Sequence, residues 1–191
     1  MFLSFRKLPL LLAAALLVAT VTVGIVRAQS GTIADFTVQK TGGGSASLSA
    51  YTGQKAVVVI FVNPACAFTR LYQERLTALN SAYSGRGVQF MFVNVPINLD
   101  ANEGGGASLA TFSDDAGAAS AALGVTKTTE AVVLQPAGGG FAVRYRGAID
   151  DNPQIASGVQ QPYLRQVLDN VLAGRPAGVA DKRAAGCLIK R

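Results

Sequence analysis

Cys66 lies at a break between two segments of opposite character, and that position makes its thiol a candidate for chemistry. Ahead of it, Ala56-Val57-Val58-Val59-Ile60-Phe61-Val62 is an unbroken apolar run, which predicts a strand buried on both faces. Asn63-Pro64-Ala65 interrupts the run. Beyond Cys66, residues Phe68, Tyr72, Leu76, Leu79 and Tyr83 recur at spacings of 4, 4, 3 and 4, one face of a helix. A thiol in the first turn of that helix meets backbone N–H groups without helical partners and the positive end of the dipole. Both favour the thiolate, the reactive form. Arg70, one turn on, adds a cation that can reinforce the shift, and the Thr69 hydroxyl can donate a hydrogen bond to the thiolate. The plain alternative is a small buried residue closing the strand–helix junction.

The rest of the composition narrows the chemistry further. The chain has two cysteines, no histidine and no tryptophan. Ser-His-Asp and Cys-His hydrolytic mechanisms are thereby excluded, as are c-type haem attachment and His-containing zinc sites. Cysteine, carboxylates, lysine, arginine and tyrosine remain. The glycine triplets at 42–44, 104–106 and 138–140 do not follow a strand and open a helix in phosphate-loop spacing, so they are turns. Asp150-Asp151-Asn152-Pro153 could serve calcium only within a larger oxygen set. A turn with Asp and Asn side chains on backbone N–H groups, and Arg144 or Arg146 as countercharge, is the better reading. Asp114-Asp115 reads as a turn or helix cap.

The elements that must position Cys66 follow from the pattern. Ile33 to Val38 predicts an edge strand, Ser45 to Leu48 a short pairing strand, and Val88 to Val95 a second strongly apolar strand. A polar, glycine-rich stretch over 97–117 predicts a surface loop with a short helix around Leu109 to Phe112. Ala118 to Leu123 predicts a helical turn capped by Gly124. Two strands, 131–134 and 141–146, form a hairpin across Gln135 to Gly140. Leu164, Val167, Leu168, Val171 and Leu172 share one face of a closing helix from Pro162 to Leu172. Strands 56–62, 88–95, 131–134 and 141–146 should share one sheet with 56–62 central. The fold class is α/β, a central mixed sheet with helices on both faces.

The first residues have a separate role. Arg6 and Lys7 precede an apolar stretch from Leu8 to Ile25, and Val26-Arg27-Ala28 ends in a small residue. This is the pattern of a signal peptide cleaved after Ala28. Retained, about 18 apolar residues can just span a bilayer, so a membrane anchor over residues 8–26 is the rival. The domain plan is a signal peptide at 1–28, one domain at 29–174, and a tail at 175–191 carrying Cys187. Of 17 basic residues, Arg6, Lys7 and Arg27 fall in the signal segment, leaving 14 against 11 acidic ones. So mild an excess gives no case for nucleic acid, and the basic residues of the tail read as solvated.

Three stretches resemble a known family. Phe61-Val62-Asn63-Pro64-Ala65-Cys66-Ala67-Phe68-Thr69-Arg70-Leu71-Tyr72 is similar to its cysteine-then-helix segment. Leu123 to Leu134, with Thr128-Thr129-Glu130 at its centre, is similar to a segment centred on T-P-E. Tyr145-Arg146-Gly147-Ala148-Ile149-Asp150-Asp151-Asn152 is similar to Y-x-G-x-i-D-D, and Gly186-Cys187-Leu188-Ile189-Lys190 looks like tails of exported members. The resemblance is to the thioredoxin-like fold, in the redoxin branch that holds the alkyl hydroperoxide reductase/thiol-specific antioxidant proteins. It implies an exported oxidoreductase, periplasmic or extracellular, with Cys66 as nucleophilic or peroxidatic thiol and no metal or organic cofactor. It also implies a thiol/disulfide partner protein or a small oxidant.

The chain departs from the family at three places. Thr69 stands where C-x-x-C has its second cysteine. Val59 and Asn63 stand where peroxiredoxins carry the Pro and Thr of P-x-x-x-T-x-x-C. Thr129 replaces the usually cis proline of the substrate-docking edge, and without proline that bond is expected to be trans, since cis costs about 3 kcal/mol. Three roles are open for Cys187. It can resolve an oxidised Cys66, form a permanent staple worth about 4–5 kcal/mol in the loop-entropy model, or be an unrelated thiol. A non-catalytic binding or assembly module with a structural Cys66–Cys187 disulfide is the alternative to a redox enzyme.

Overall fold

A computed structural model of the chain describes residues 32–98 and 109–191. The expected signal or anchor segment and the glycine triplet at 104–106 lie outside the described residues. Within them the chain runs β1 (Thr37–Lys40), β2 (Ser45–Ser47), β3 (Ala56–Val62), α1 (Ala67–Tyr83), β4 (Val88–Asn94), β5 (Phe112–Ser113), α2 (Ala118–Ala122), β6 (Ala131–Ala137), β7 (Gly140–Gly147) and α3 (Tyr163–Leu172).

All seven strands form one mixed sheet in the order β2-β1-β5-β4-β3-β6-β7. β3 runs parallel to β4 and antiparallel to β6, which pairs antiparallel with β7. The four strands expected to share a sheet are therefore adjacent, with β3 inside them. The strict alternation of β3 explains the layers. Val58, Ile60 and Val62 join Tyr72, Leu76 and Leu79 of α1 and Leu164, Val167 and Leu168 of α3 in one core. Val57, Val59 and Phe61 join Ala119, Leu123, Phe36 and Leu48 in the other, beneath α2. Every residue of β3 is at most 1% exposed, so both faces of this strand are covered by helices or loops, which is why it reads as a continuous apolar run.

Several local expectations change. No helix forms around Leu109 to Phe112. Phe112 and Ser113 pair instead with both β1 and β4, and this inserted strand moves the middle of the sheet from β3 to β4. The first strand starts at Thr37, not Ile33, and β2 lies outside it, so the edge belongs to β2. The hairpin turn shrinks to Gly138-Gly139, both at positive φ, and the strands run on through Ala137 and Gly140. Pro136 is tolerated inside β6 because β3 pairs only with residues 131–134. The buried stripe of α1 begins at Thr69 rather than Phe68, followed by Tyr72, Leu76, Leu79 and Tyr83.

The tail is not a free extension. Its basic side chains are exposed, but its backbone is docked. Lys182 bridges Gly147, and the Ala148 amide donates to the Lys182 carbonyl at 2.9 Å. Leu188 and Ile189 form antiparallel bridges to Lys127 on one side and Ile97 on the other. The segment is thus an extended strand held from both flanks.

Candidate functional site

Cys66 is the N-cap of α1, in extended conformation, and it is fully buried. The loop before it is organised by Asn63, whose carboxamide oxygen accepts from the Ala65 amide at 2.9 Å and whose Nδ2 donates to the Val95 carbonyl at 2.8 Å. The Cys66 amide donates to the Asn63 carbonyl at 3.0 Å. Pro64 follows directly, in a turn that a buried strand needs in order to hand over to a helix within three residues.

Cys66 and Cys187 are joined in a disulfide, with Cα atoms 5.9 Å apart across a sequence separation of 121. Of the three roles open for Cys187, that of an unrelated thiol is removed. Thr128, fully buried, ties both halves together. Its hydroxyl donates to Cys66 Sγ at 3.1 Å and accepts from the Cys187 amide at 2.9 Å, while its own amide donates to the Cys187 carbonyl at 2.9 Å. Gly186 makes this approach possible. A Cβ there would lie 1.9 Å from the Thr128 carbonyl oxygen and 3.1 Å from Thr129 Oγ1.

The other expected site residues are placed as follows. Thr129 is trans, since no described peptide bond is cis, and it has a positive φ of 57°, a left-handed conformation costly for a β-branched residue. Its amide donates to the Phe61 carbonyl at 2.7 Å, and its hydroxyl donates to the carbonyls of Thr128 and Ala185. The tail therefore covers the edge on which a substrate was expected to dock. Arg70 donates from Nη1 to the carbonyls of Pro64 and Ala65, at 3.0 and 3.1 Å, which holds the loop immediately before Cys66. Thr69 accepts from the Asn63 amide at 3.3 Å. The sulfur's hydroxyl donor is thus Thr128, from the loop before β6, because Thr69 turns its side chain back to Asn63, in the loop between β3 and α1.

A second polar cluster braces the far side of α1. Asp150 accepts from Tyr72 Oη at 2.9 Å and from Arg75 Nη1 at 2.7 Å, and Arg75 also donates to the carbonyls of Asn152 and Pro153. The countercharge of this turn is Arg75, not Arg144 or Arg146, because α1 passes over the turn while Arg144 reaches along the hairpin to Gln135. Burial first, and then the Asp150 carboxylate, push the Tyr72 hydroxyl pKa well above the usual phenol range. Asp151 accepts from the Gln160 and Gln161 amides, which pull its carboxyl below the usual range. Asp114 caps α2 through the amides of Ala119 and Ser120. These carboxylates are used in turns and caps, and among the described residues none gathers into a group of three that could hold a metal ion.

Sequence reasoning missed Thr128, Gly186 and Arg75. The resemblance marked Thr128 at the T of T-P-E without giving it a role, and a Gly-Cys dipeptide in the tail was the signal for Gly186.

No protein-family model and no curated protein sequence matches the chain. Solved structures do. A hypothetical protein from Sinorhizobium meliloti is 24% identical, with a TM-score of 0.71 over 83% of this chain and 92% of that one. An uncharacterized conserved protein from Geobacillus kaustophilus is 23% identical, with a TM-score of 0.72 over 84% of this chain and 90% of that one. Thioredoxin peroxidase I of Plasmodium yoelii is 15% identical, with a TM-score of 0.54 over 75% of this chain and 88% of that one. Among the described residues no helix is long and apolar enough to cross a membrane. With its mixed central sheet, helices on both faces and a cysteine at the first strand–helix junction, the chain has a thioredoxin-like fold.

Proposed function

We propose that the protein is an exported thiol-based redox protein that cycles between the Cys66–Cys187 disulfide and the dithiol. One observation carries this reading. Cys66 Sγ sits at the N-terminus of α1 under a hydroxyl donor, Thr128, and faces a second sulfur delivered by a docked strand. A helix N-terminus and a donated hydrogen bond both stabilise a thiolate.

In the reduced protein the Cys66 thiolate attacks either a peroxide or the disulfide of a partner. With a hydroperoxide, an S–O bond forms as the O–O bond breaks, the alcohol leaves, and Cys66 becomes a sulfenic acid. The Cys187 thiol then attacks that sulfur, water leaves, and the disulfide closes. With a partner disulfide, Cys187 displaces the mixed disulfide and releases the partner as a dithiol. A dithiol partner protein resets the cycle. Thr69 supplies no second sulfur, so Cys187 is the resolving residue in both routes. Export follows from Arg6, Lys7, the apolar stretch to Ile25 and cleavage after Ala28, and a mature N-terminus at Gln29 in the native host tests it.

The test of function is thiol-dependent consumption of hydrogen peroxide or of a model disulfide by purified protein. Turnover is expected for the wild type and is abolished in Cys66→Ser. In Cys187→Ser, turnover persists only with an added monothiol. A wild type without turnover under either assay leaves the second reading, a non-catalytic module with a structural disulfide. That reading is favoured by the complete burial of Cys66 and by the backbone bonds on both flanks of the tail.

A further inference from the structure

Away from the disulfide, α1, α3 and the loop that joins β7 to α3 enclose a cleft of about 220 Å³ that the redox cycle does not use. Its floor is the buried pair Leu79 and Ile149, and Ala78, Ala156 and Val159 complete an aliphatic wall. Ala78 lies 12 residues beyond Cys66, which at helical rise is about 18 Å along α1. A cavity of about 150 Å³ holds benzene, so this one has room for a ring and a few further atoms.

The polar groups of the cleft are unequal in what they still offer. Asp150 is spent. Its Oδ1 accepts from Tyr72 Oη and from the Asn152 amide, at 2.9 and 3.1 Å, and its Oδ2 accepts from Arg75 Nη1 at 2.7 Å. Arg75 balances this carboxylate, yet its Nε is buried with no acceptor. Arg165, exposed on α3, forms no ion pair and no side-chain hydrogen bond among the described residues, and lies 5.9 Å from the Tyr83 ring centroid. Asp169, one turn along α3, is already taken by Tyr83 and Arg86. The cleft thus carries one uncompensated positive charge and unused donors, while its carboxylate is occupied. A cationic ligand would meet no free carboxylate, and inorganic phosphate would leave the aliphatic wall unfilled.

We propose that the cleft is a binding site for a small monocarboxylate with a compact apolar body. The body lies against Leu79, Ile149 and Val159, and the carboxylate accepts from the Arg165 guanidinium at the rim. This goes beyond the redox reading and does not rest on it.

The test is a titration of isotope-labelled, oxidised protein with sodium phenylacetate, followed by amide chemical shifts at constant pH and ionic strength. The shifts are expected to saturate and to centre on Ala78, Leu79, Ile149, Ala156 and Val159. Phenylacetamide keeps the body without the charge and should bind about tenfold more weakly. Acetate keeps the charge without the body and should give no saturating shift there. Arg165→Gln should weaken phenylacetate binding about tenfold, the effect of losing one charge-assisted hydrogen bond. Ala78→Leu places a longer, helix-favouring side chain at an exposed position of α1, so the fold is kept while the cleft is filled, and binding should be lost. Equal affinity for phenylacetate and phenylacetamide, unchanged affinity in Arg165→Gln, or shifts that centre elsewhere or never saturate would each overturn the proposal. A protein inert in both turnover assays but saturated by phenylacetate at this cleft would count against the redox reading and leave the site standing.

Discussion

Gly186→Ala tests whether the tail is seated by close backbone approach or merely tethered by its disulfide. A Cβ at this position would lie 1.9 Å from the Thr128 carbonyl oxygen and 2.8 Å from its carbon. Both are backbone atoms, and Thr128 is fixed by its own bonds to Cys66 and Cys187 and by the bond of the next residue, Thr129, to Phe61 of β3, so the tail must lift. Lifting breaks three hydrogen bonds: Thr128 amide to Cys187 carbonyl, Cys187 amide to Thr128 hydroxyl, and Thr129 hydroxyl to Ala185 carbonyl. At about 1 kcal/mol each, the docked state loses about 3 kcal/mol, or roughly a hundredfold in the docking equilibrium. In the reduced protein, Cys66 is reached through this opening. Its rate of alkylation by iodoacetamide, read by mass spectrometry, should therefore rise by about two orders of magnitude in Gly186→Ala. Far-UV circular dichroism should not change, because the sheet and helices do not depend on residues 185–190. Gly53→Ala, where a Cβ meets nothing within 4 Å, should leave the rate as in the wild type. Equal Cys66 alkylation in Gly186→Ala and wild type would refute the seating argument.

Three further outcomes follow from the same contacts. Asp150→Ala removes the partner of Arg75, whose side chain is 16% exposed, and the acceptor of Tyr72, and should cost about 3 kcal/mol in urea unfolding. An unchanged midpoint would count against the bracing role of this cluster. Reducing the disulfide should lower stability by about 5 kcal/mol, given a loop of 121 residues, and a urea midpoint unmoved by dithiothreitol would contradict this. Tyr72 and Tyr145 hold their phenolic protons more tightly folded than unfolded, chiefly because they are buried. Their contribution is complete below about pH 10 and is lost as pH rises above it, so stability should fall on the alkaline side, and less steeply in Tyr72→Phe.

What could be read from the sequence was what short-range pattern determines. The run 56–62 is buried on both faces, so its uniform apolarity named it as an interior strand, and the helical stripe after Cys66 fixed the thiol at a helix N-terminus. Gly124 ends its helical turn at positive φ, as its position after residues 118–123 implied. The misses depend on distant partners. Phe112-Ser113 is too short to show a period and becomes a strand only because β1 and β4 leave a slot between them. Thr129 takes a left-handed φ that its own side chain disfavours, held by Phe61 and Ala185 from elsewhere in the chain. The tail offered no apolar period at all. Its order comes from main-chain hydrogen bonds to segments 96–98 and 126–128, and main-chain bonding leaves almost no trace in side-chain type. At the site, Cys66 and Cys187 were legible as residues and their pairing as one option, whereas the donor to the sulfur was sought one turn along the helix and lies instead in the loop before β6.

In the proposed cycle the Cys66–Cys187 disulfide opens and closes within the folded protein. This is tested most directly by exposing the oxidised native protein to dithiothreitol without denaturant and trapping thiols at intervals with N-ethylmaleimide, while circular dichroism follows the fold. Both Cys66 and Cys187 are expected to become trapped within minutes while the spectrum keeps its native form. Thiols that emerge only in step with loss of the native spectrum would show a buried staple, and would contradict the cycle.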